Sequence, residues 1–237
     1  MTRRIAILLT STDTSDFARR HPDDGEKFTT LLQPLRPGWR FDVVSVKDGE
    51  FPATADSYDG YVITGSPASV NGPETWVERL KSLIRDIDRR RIPMFGACFG
   101  HQAIAVALGG SVVRSDKGWG LGTATTHFDR RAPWMEPFRD RLVLYAAHQE
   151  QVQDLPEGAE ILGGDEFCPV GAYRIGDHVF ATEYHPEMTH GFVAELLDEL
   201  EGKLDPETLA KARASLDRPT EGPFFAQWIV NFLEYRP

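Results

Sequence analysis

Strand-like and helix-like segments alternate along the first 110 residues, and this alternation constrains the fold more than any other feature. Short apolar runs at 5–9, 41–46, 58–66 and 92–97 are bounded by turn residues, as buried parallel strands are. The segments between them, such as the helix predicted at 26–36, repeat apolar residues three and four apart, which is typical of helices packed on a sheet. We therefore predict an α/β fold with three layers, in which helices flank a mostly parallel central sheet.

The pattern changes after residue 110. Shorter strand-like pieces follow, and "RIGDHVF" predicts a hairpin that turns at Gly176 and Asp177. Helical spacing returns near the C-terminus, predicts a helix at 207–216 and ends with "FFAQWIVNFLEY". We predict one domain over 1–190 and a helical C-terminal extension over 191–237 packed on that same domain. The apolar face of the last helix either covers the sheet or forms a contact with a second copy or a partner.

Composition excludes several classes of function. The chain has 26 basic and 36 acidic residues and a net charge of −10, which argues against a nucleic-acid-binding surface. No apolar window reaches the length of a membrane span, and the run at 5–9 is shorter than a signal-peptide core. We expect a cytoplasmic protein with no membrane contact, in which Cys98 and Cys168 are free thiols.

The stretch "GACFGHQ" begins where the fourth apolar run ends and a helix pattern starts. Cys98 is either a small buried core residue or a nucleophile held at a strained strand-to-helix turn. Gly96 and Gly100 favour the second interpretation, because a Cβ at either position would collide with a tight turn. The helix N-terminus would then favour a thiolate, and the Phe99 amide could stabilise an oxyanion.

A nucleophilic cysteine needs a base, and "ATEYHPE" offers one. His185 follows an apolar strand, and Glu187 is close enough in sequence to orient its imidazole. The same stretch forms H-x-E-x-x-H with His190, which raises the alternative of a metal site. Because the chain has no C-x-x-C and no H-E-x-x-H, we expect no bound metal. The loop "KGWGLGT" is interpreted as a turn beside the site, with Trp119 either walling a pocket or packing in the core.

Cys98 in G-x-C-x-G-H-Q, followed far downstream by H-P-E, resembles the class I, triad-type glutamine amidotransferase domain. Three further stretches fit in order, namely "YDGYVITGSPASVN", "AAHQEQVQDLPEG" and "CPVGAY". The resemblance covers roughly residues 3–190 and implies a flavodoxin-like fold. The resemblance to the stand-alone branch of the family, which includes γ-glutamyl peptidases, is at least as close as the resemblance to the GMP-synthase branch.

The resemblance implies a mechanism and a set of site residues. Cys98 would attack a γ-glutamyl amide to form a thioester, with His185 as acid and base, Glu187 orienting it, and no cofactor. The N–H groups of Phe99 and Gly65 would hold the oxyanion. The glutamyl end would contact a group of residues in two segments: Gln102, His148, Gln149 and Val152.

One position departs from the family pattern. A glutamine usually stands two residues before the histidine, whereas this chain has Glu183. The chain also lacks an ammonia-accepting synthase sequence, so either a separate subunit takes the ammonia or the enzyme is a free-standing γ-glutamyl hydrolase. We expect a small-molecule substrate, either glutamine or another γ-glutamyl compound. Two alternatives stay open: an amidase subunit that needs a separate synthase partner, and a non-enzymatic relative that binds a γ-glutamyl metabolite.

Overall fold

The computed structural model describes residues 2–236, and it places a nine-stranded sheet between two layers of helices. The strands are β1 (Arg4–Leu9), β2 (Arg40–Ser45), β3 (Gly60–Ile63), β4 (Met94–Ala97), β5 (Ser111–Arg114), β6 (Gly120–Phe128), β7 (Arg141–His148), β8 (Glu150–Asp154), β9 (Ala159–Gly164), β10 (Ala172–Ile175) and β11 (Val179–Thr182). The helices are α1 (Asp16–Arg19), α2 (Asp24–Leu32), α3 (Thr75–Arg89), α4 (Phe99–Ala107), α5 (His190–Glu199), α6 (Pro206–Ser215) and α7 (Gly222–Glu234).

The strand order is β2-β1-β3-β4-β11-β10-β9-β6-β7. The first five strands in this order pair in parallel, and the remaining pairings are antiparallel. The α/β architecture predicted from the sequence is confirmed, with an antiparallel extension that makes the sheet mixed. The predicted hairpin is also present, because β10 and β11 are antiparallel neighbours joined across Gly176. Strands β5 and β8 form a separate two-stranded sheet.

Each face of the sheet has its own apolar core. On one face, α2 and α7 bury aromatic side chains such as Phe28 and Phe225 against Phe95 of β4. On the other face, α3 and α4 pack through residues that include Leu80 and Ile104. The last helix therefore covers the sheet, which is the first of the two roles considered for its apolar face.

One helix differs in its limits from the sequence expectation of 26–36. Asp23 and Glu26 form a reciprocal capping box, which begins α2 at Asp24. The α-helix ends at Leu32 and continues as a 3₁₀ turn that contains Pro34, whose missing N–H cannot extend the α-helical ladder. Among residues 2–236, no helix is both long enough and apolar enough to cross a membrane.

The parallel pairing determines where a site can form. Strands β3, β4 and β11 are adjacent, so the segments that leave their carboxyl ends meet at one edge of the sheet. Gly65, Cys98 and His185 lie in these three segments. In open α/β sheets this edge is where ligands bind.

Candidate active site

The backbone between β4 and α4 turns sharply at Cys98. The strand ends at Ala97 and the helix begins at Phe99. The φ of 48° and ψ of −107° at Cys98 lie in a region that residues with side chains rarely occupy. Within residues 2–236, Arg91 is the only other non-glycine residue with a positive φ. Such strain is concentrated at functional sites, where the surrounding structure holds it in place.

The two flanking glycines allow this turn to pack. A Cβ at Gly96 would lie 2.6 Å from the carbonyl carbon of Gly100. A Cβ at Gly100 would lie 2.4 Å from the carbonyl oxygen of Ile63, at the end of β3. Both distances are far below van der Waals contact, so α4 can approach the sheet only because neither position has a side chain. The surroundings of both glycines therefore support a tight strand-to-helix turn at Cys98.

Strand β11 brings His185 to the same edge of the sheet. The register pairs Thr182 of β11 with Ala97 of β4, and the Cys98 amide donates to the Thr182 carbonyl at 2.9 Å. The His185 amide donates to the carbonyl of Tyr145 in β7 at 2.8 Å. The backbone before and at His185 is thus tied to two different strands, which fixes the position of its side chain.

Gly65 shows how close the two side chains are. A Cβ built on this glycine would lie 2.8 Å from Cε1 of His185 and 3.7 Å from Cβ of Cys98. The imidazole and the cysteine side chain are therefore neighbours, and both lie against Gly65. Only a residue without a side chain fits between β3 and this pair.

The imidazole of His185 has one bonded nitrogen and one without a partner. Its Nδ1 lies 2.6 Å from Oε1 of Glu187, whose side chain is completely buried. Because a carboxylate oxygen accepts, Nδ1 carries the hydrogen and Nε2 carries the lone pair. Nε2 is buried and has no hydrogen-bond partner. A histidine in this tautomer can take a proton from a neighbouring thiol.

The surroundings of Cys98 favour the thiol over the thiolate. Burial raises the pKa of Cys98 well above its usual value, and negative charge on the neighbouring carboxyls of Glu183 and Glu187 raises it further when they are ionised. The N–H of Phe99 lowers it, but by less. The sequence predicted a thiolate favoured by the helix N-terminus, and this was wrong for the resting state because desolvation outweighs the helix field. A thiolate can then form only together with a protonated neighbour.

A large cleft opens above Cys98 and His185. Its volume is about 850 Å³, within the range of small-molecule sites. The segment 11–24, the N-terminal half of α2 and helix α5 form much of its wall. Trp119 and Gly65 also line it, so Trp119 takes the first of the two roles considered for it.

The residues predicted to hold the glutamyl end do not line this cleft. Gln102 and His148 are buried, and the Gln102 amide nitrogen donates to the Glu150 carbonyl at 3.0 Å. Val152 is buried in β8, where it pairs with β5. Gln149 joins β7 to β8, and its carbonyl accepts from Ser115. Substrate contacts by these four residues stay a prediction.

Sequence reasoning missed an ionic pair in the cleft wall. Lys27 Nζ lies 2.8 Å from Asp24 Oδ1 and 3.5 Å from the ring centroid of Phe192. Burial raises the pKa of Asp24, and the nearby Glu187 contributes in the same direction, while Lys27 opposes both. No motif includes these residues, since α2 and α5 come together only in the folded chain. Among the described residues, no three His, Cys, Asp or Glu side chains form a cluster that could hold a metal ion.

The family model for the class-I glutamine amidotransferases matches residues 35–197. The chain belongs to this family. Gamma-glutamyl peptidase 3 of Arabidopsis thaliana is 31% identical over 226 residues, which cover 91% of this chain and 90% of the peptidase. A glutamine-hydrolysing GMP synthase of Finegoldia magna is 30% identical over 132 residues, which cover 55% of this chain and 25% of the synthase. A solved glutamine amidotransferase structure from Thermotoga maritima superposes with a TM-score of 0.76 at 22% identity, covering 98% of both chains.

Proposed function

We propose that the protein is a cysteine hydrolase that cleaves γ-glutamyl amide bonds through Cys98, His185 and Glu187. The observation that carries this proposal is the buried Nε2 of His185, which has no partner and belongs to a ring that borders Gly65 together with the strained Cys98. The bond from Nδ1 to Glu187 supports it, because it fixes the tautomer that a general base requires.

The proposed reaction has two halves. In the first, Nε2 of His185 takes the thiol proton while the sulfur of Cys98 attacks the γ-carbonyl carbon. The oxyanion is held by the N–H groups of Phe99 and Gly65. The protonated His185 then gives its proton to the leaving nitrogen, the C–N bond breaks, and a γ-glutamyl thioester remains.

In the second half, water replaces the amine. His185 takes a proton from the water as its oxygen attacks the thioester carbonyl. The C–S bond breaks, Cys98 regains a proton from His185, and free glutamate leaves. Glu187 stays ionised and stabilises the imidazolium in both halves.

The cleft supports a leaving group larger than ammonia. Besides Trp119, its wall includes the apolar side chains of Leu121, Met188, Phe192 and Leu196. An apolar amine portion of a γ-glutamyl compound would remove this surface from water, at about 25 cal/mol per Å² buried. The similarity to a γ-glutamyl peptidase over most of both chains supports the same substrate class.

The test is an assay of the purified protein on glutamine, γ-glutamylglycine and γ-glutamylphenylalanine. Wild type is expected to release amine from γ-glutamylphenylalanine with the highest kcat/KM, and Cys98→Ala is expected to release none. Cys168→Ala is the matched control, because Cys168 is also a buried free cysteine and has no proposed role in the reaction. Trp119→Ala should reduce kcat/KM for γ-glutamylphenylalanine more than for γ-glutamylglycine.

Each other outcome points elsewhere. Equal turnover by wild type and Cys98→Ala would reject the proposed nucleophile. Hydrolysis of glutamine alone would favour an amidase subunit that supplies ammonia to a synthase. A wild type that binds γ-glutamyl compounds and cleaves none would favour the binding relative.

A further inference from the structure

Glu183 is a fully buried carboxyl group next to Cys98 that the proposed reaction does not use. It directly follows β11, and its amide donates to the Gly171 carbonyl at 2.9 Å. The preceding residue, Thr182, accepts from the Cys98 amide through its carbonyl. The side chain of Glu183 has no exposed surface. A buried ionised carboxylate is costly unless charges or hydrogen bonds compensate it, so the neighbours of Glu183 decide its state.

The two oxygens of Glu183 have different surroundings. Oε1 accepts from the Gln102 amide nitrogen at 2.8 Å. The same nitrogen also donates to the Glu150 carbonyl at 3.0 Å, so both of its hydrogens are used. Oε2 is buried without a hydrogen-bond partner, and the Nε2 atom of His101 lies 3.6 Å from it. Neither ring nitrogen of His101 has a hydrogen-bond partner.

His148 approaches the other oxygen and is uncharged. Its Nδ1 lies 3.1 Å from the Glu150 carbonyl and 3.9 Å from Oε1 of Glu183. A carbonyl only accepts, so Nδ1 carries the hydrogen, and Nε2 is buried without a partner. Burial lowers the pKa of His148 to about 4. Burial, followed by the adjacent His148, lowers the pKa of His101 to about 3.

No positive charge compensates Glu183. Several titratable groups influence Glu183 or are influenced by it. They come from the strand-to-helix turn at Cys98, α4, β7, β8, β10 and the segment before β10: Cys98, His101, His148, Glu150, Tyr173 and Cys168. Within residues 2–236, no lysine or arginine lies at ion-pair distance from this carboxyl. Burial is the main reason that the pKa of Glu183 is raised well above its usual value.

We infer that Glu183 is a positioning residue that stays protonated, accepting from Gln102 through Oε1 and directing its O–H toward His101 through Oε2. This inference rests on the proposed function of Cys98. A protonated Glu183 places no negative charge beside the sulfur when the thiolate forms. An ionised Glu183 would oppose that step by direct electrostatic repulsion.

A glutamine at this position reproduces the inferred state. Its carbonyl oxygen would accept from Gln102, and its amide N–H would point toward His101, as the protonated acid does. The variant Glu183→Gln therefore separates the two protonation states: it resembles the neutral acid in charge and hydrogen bonding, and it differs from the carboxylate in both.

The test compares wild type with Glu183→Gln after their thermal unfolding has shown that both are folded. Infrared difference spectra at pH 7 should show the C=O stretch of a protonated carboxylic acid in wild type and not in the variant. Glu160→Gln is the matched control, because the Glu160 carboxyl pairs with Arg130 and Arg174 and with no group around Glu183. It should leave the carboxylic acid band in place.

Two further readouts test the effect on Cys98. The pH profile of Cys98 alkylation should be the same in wild type and Glu183→Gln at neutral pH, and kcat/KM should stay within about threefold. A missing carboxylic acid band, or a profile displaced by about one pH unit to lower pH in the variant, would overturn the inference. Failure of every γ-glutamyl substrate would instead reject the proposed function, since the spectra and the alkylation profile need no substrate.

Discussion

Gly222, the first residue of α7, lies directly against the carbonyl oxygen of Pro186. A Cβ on Gly222 would stand 2.2 Å from that oxygen, which no side chain can tolerate. The first residue of α7 thus packs against the turn that connects His185 to Glu187. This contact links a helix outside the family match at 35–197 to the two residues proposed to activate Cys98.

The first prediction follows from this contact. In Gly222→Ala the added methyl group should displace the Pro186 carbonyl and loosen the Nδ1 bond of His185 to Glu187. We expect kcat/KM to fall at least tenfold, which corresponds to about 1.4 kcal/mol of transition-state stabilisation. Gly191→Ala in α5 is the control, since a Cβ there meets no atom within 4 Å. Equal kinetics for the two variants would show that the turn does not depend on α7.

The second prediction concerns the carboxyl of Glu187. Glu187→Gln keeps the volume but removes the charge that stabilises a protonated His185, so kcat should fall by about 100-fold or more. Because Glu187 lies behind the imidazole, KM should change little. Steady-state kinetics on the best γ-glutamyl substrate measure both constants. Glu199→Gln, a cleft residue that pairs with Lys203, should retain wild-type kcat.

The third prediction concerns the reactivity of the two cysteines. Burial raises the pKa of both thiols, so neither should react quickly at neutral pH without a proton acceptor. Cys98 has His185 beside it, and its alkylation by iodoacetamide at pH 7 should slow at least tenfold in His185→Ala. Cys168 should resist in both proteins. An unchanged Cys98 rate would mean that the helix N-terminus alone forms the thiolate.

The fourth prediction is a pH dependence of stability. The pKa of His148 falls from 6.5 to about 4 on folding, so the unfolded chain binds a proton that the folded chain does not. The contribution of neutral His148 to the free energy of unfolding is therefore fully present above pH 6.5 and is lost as the pH falls toward 4. The loss is roughly 3 kcal/mol across that range.

Urea unfolding of wild type and His148→Asn between pH 7.5 and 4 measures this loss. Asparagine can keep the N–H directed at the Glu150 carbonyl and cannot take up the proton, so the variant should lose less stability as the pH falls. His127→Asn is the control at an exposed histidine and should have the wild-type pH slope. The same slope in all three proteins would show that His148 already titrates normally in the folded chain.

Local sequence patterns explain why much of the fold, and the strand-to-helix turn at Cys98, could be predicted. Buried strands and the Gly96–Gly100 turn are determined by residues that are adjacent in sequence. The helix expected at 207–216 is present as Pro206–Ser215. His185 was assigned as the base for Cys98 because it follows an apolar strand in a stretch that ends in H-P-E, and the family resemblance implied the same pair. These inferences needed short-range sequence patterns and that resemblance.

Other parts depend on contacts between distant segments. The protonation of Glu183 depends on His101, Gln102 and His148, which come from two elements far apart in sequence. The cleft wall depends on how α5 meets α2. The direction of the pKa shift of Cys98 was mispredicted for the same reason. Burial sets that direction, and a sequence motif does not show how deeply a residue is buried.

The positive φ at Cys98 also means that a substitution can stabilise the fold and remove activity at once. The backbone at this turn would suit glycine, and a residue with a side chain in such a conformation costs on the order of 1–3 kcal/mol. Cys98→Gly should therefore unfold at a higher temperature than Cys98→Ala, although both lack the sulfur. A search for thermostable variants that ignored turnover would accept the loss of the one atom that the proposed chemistry cannot replace.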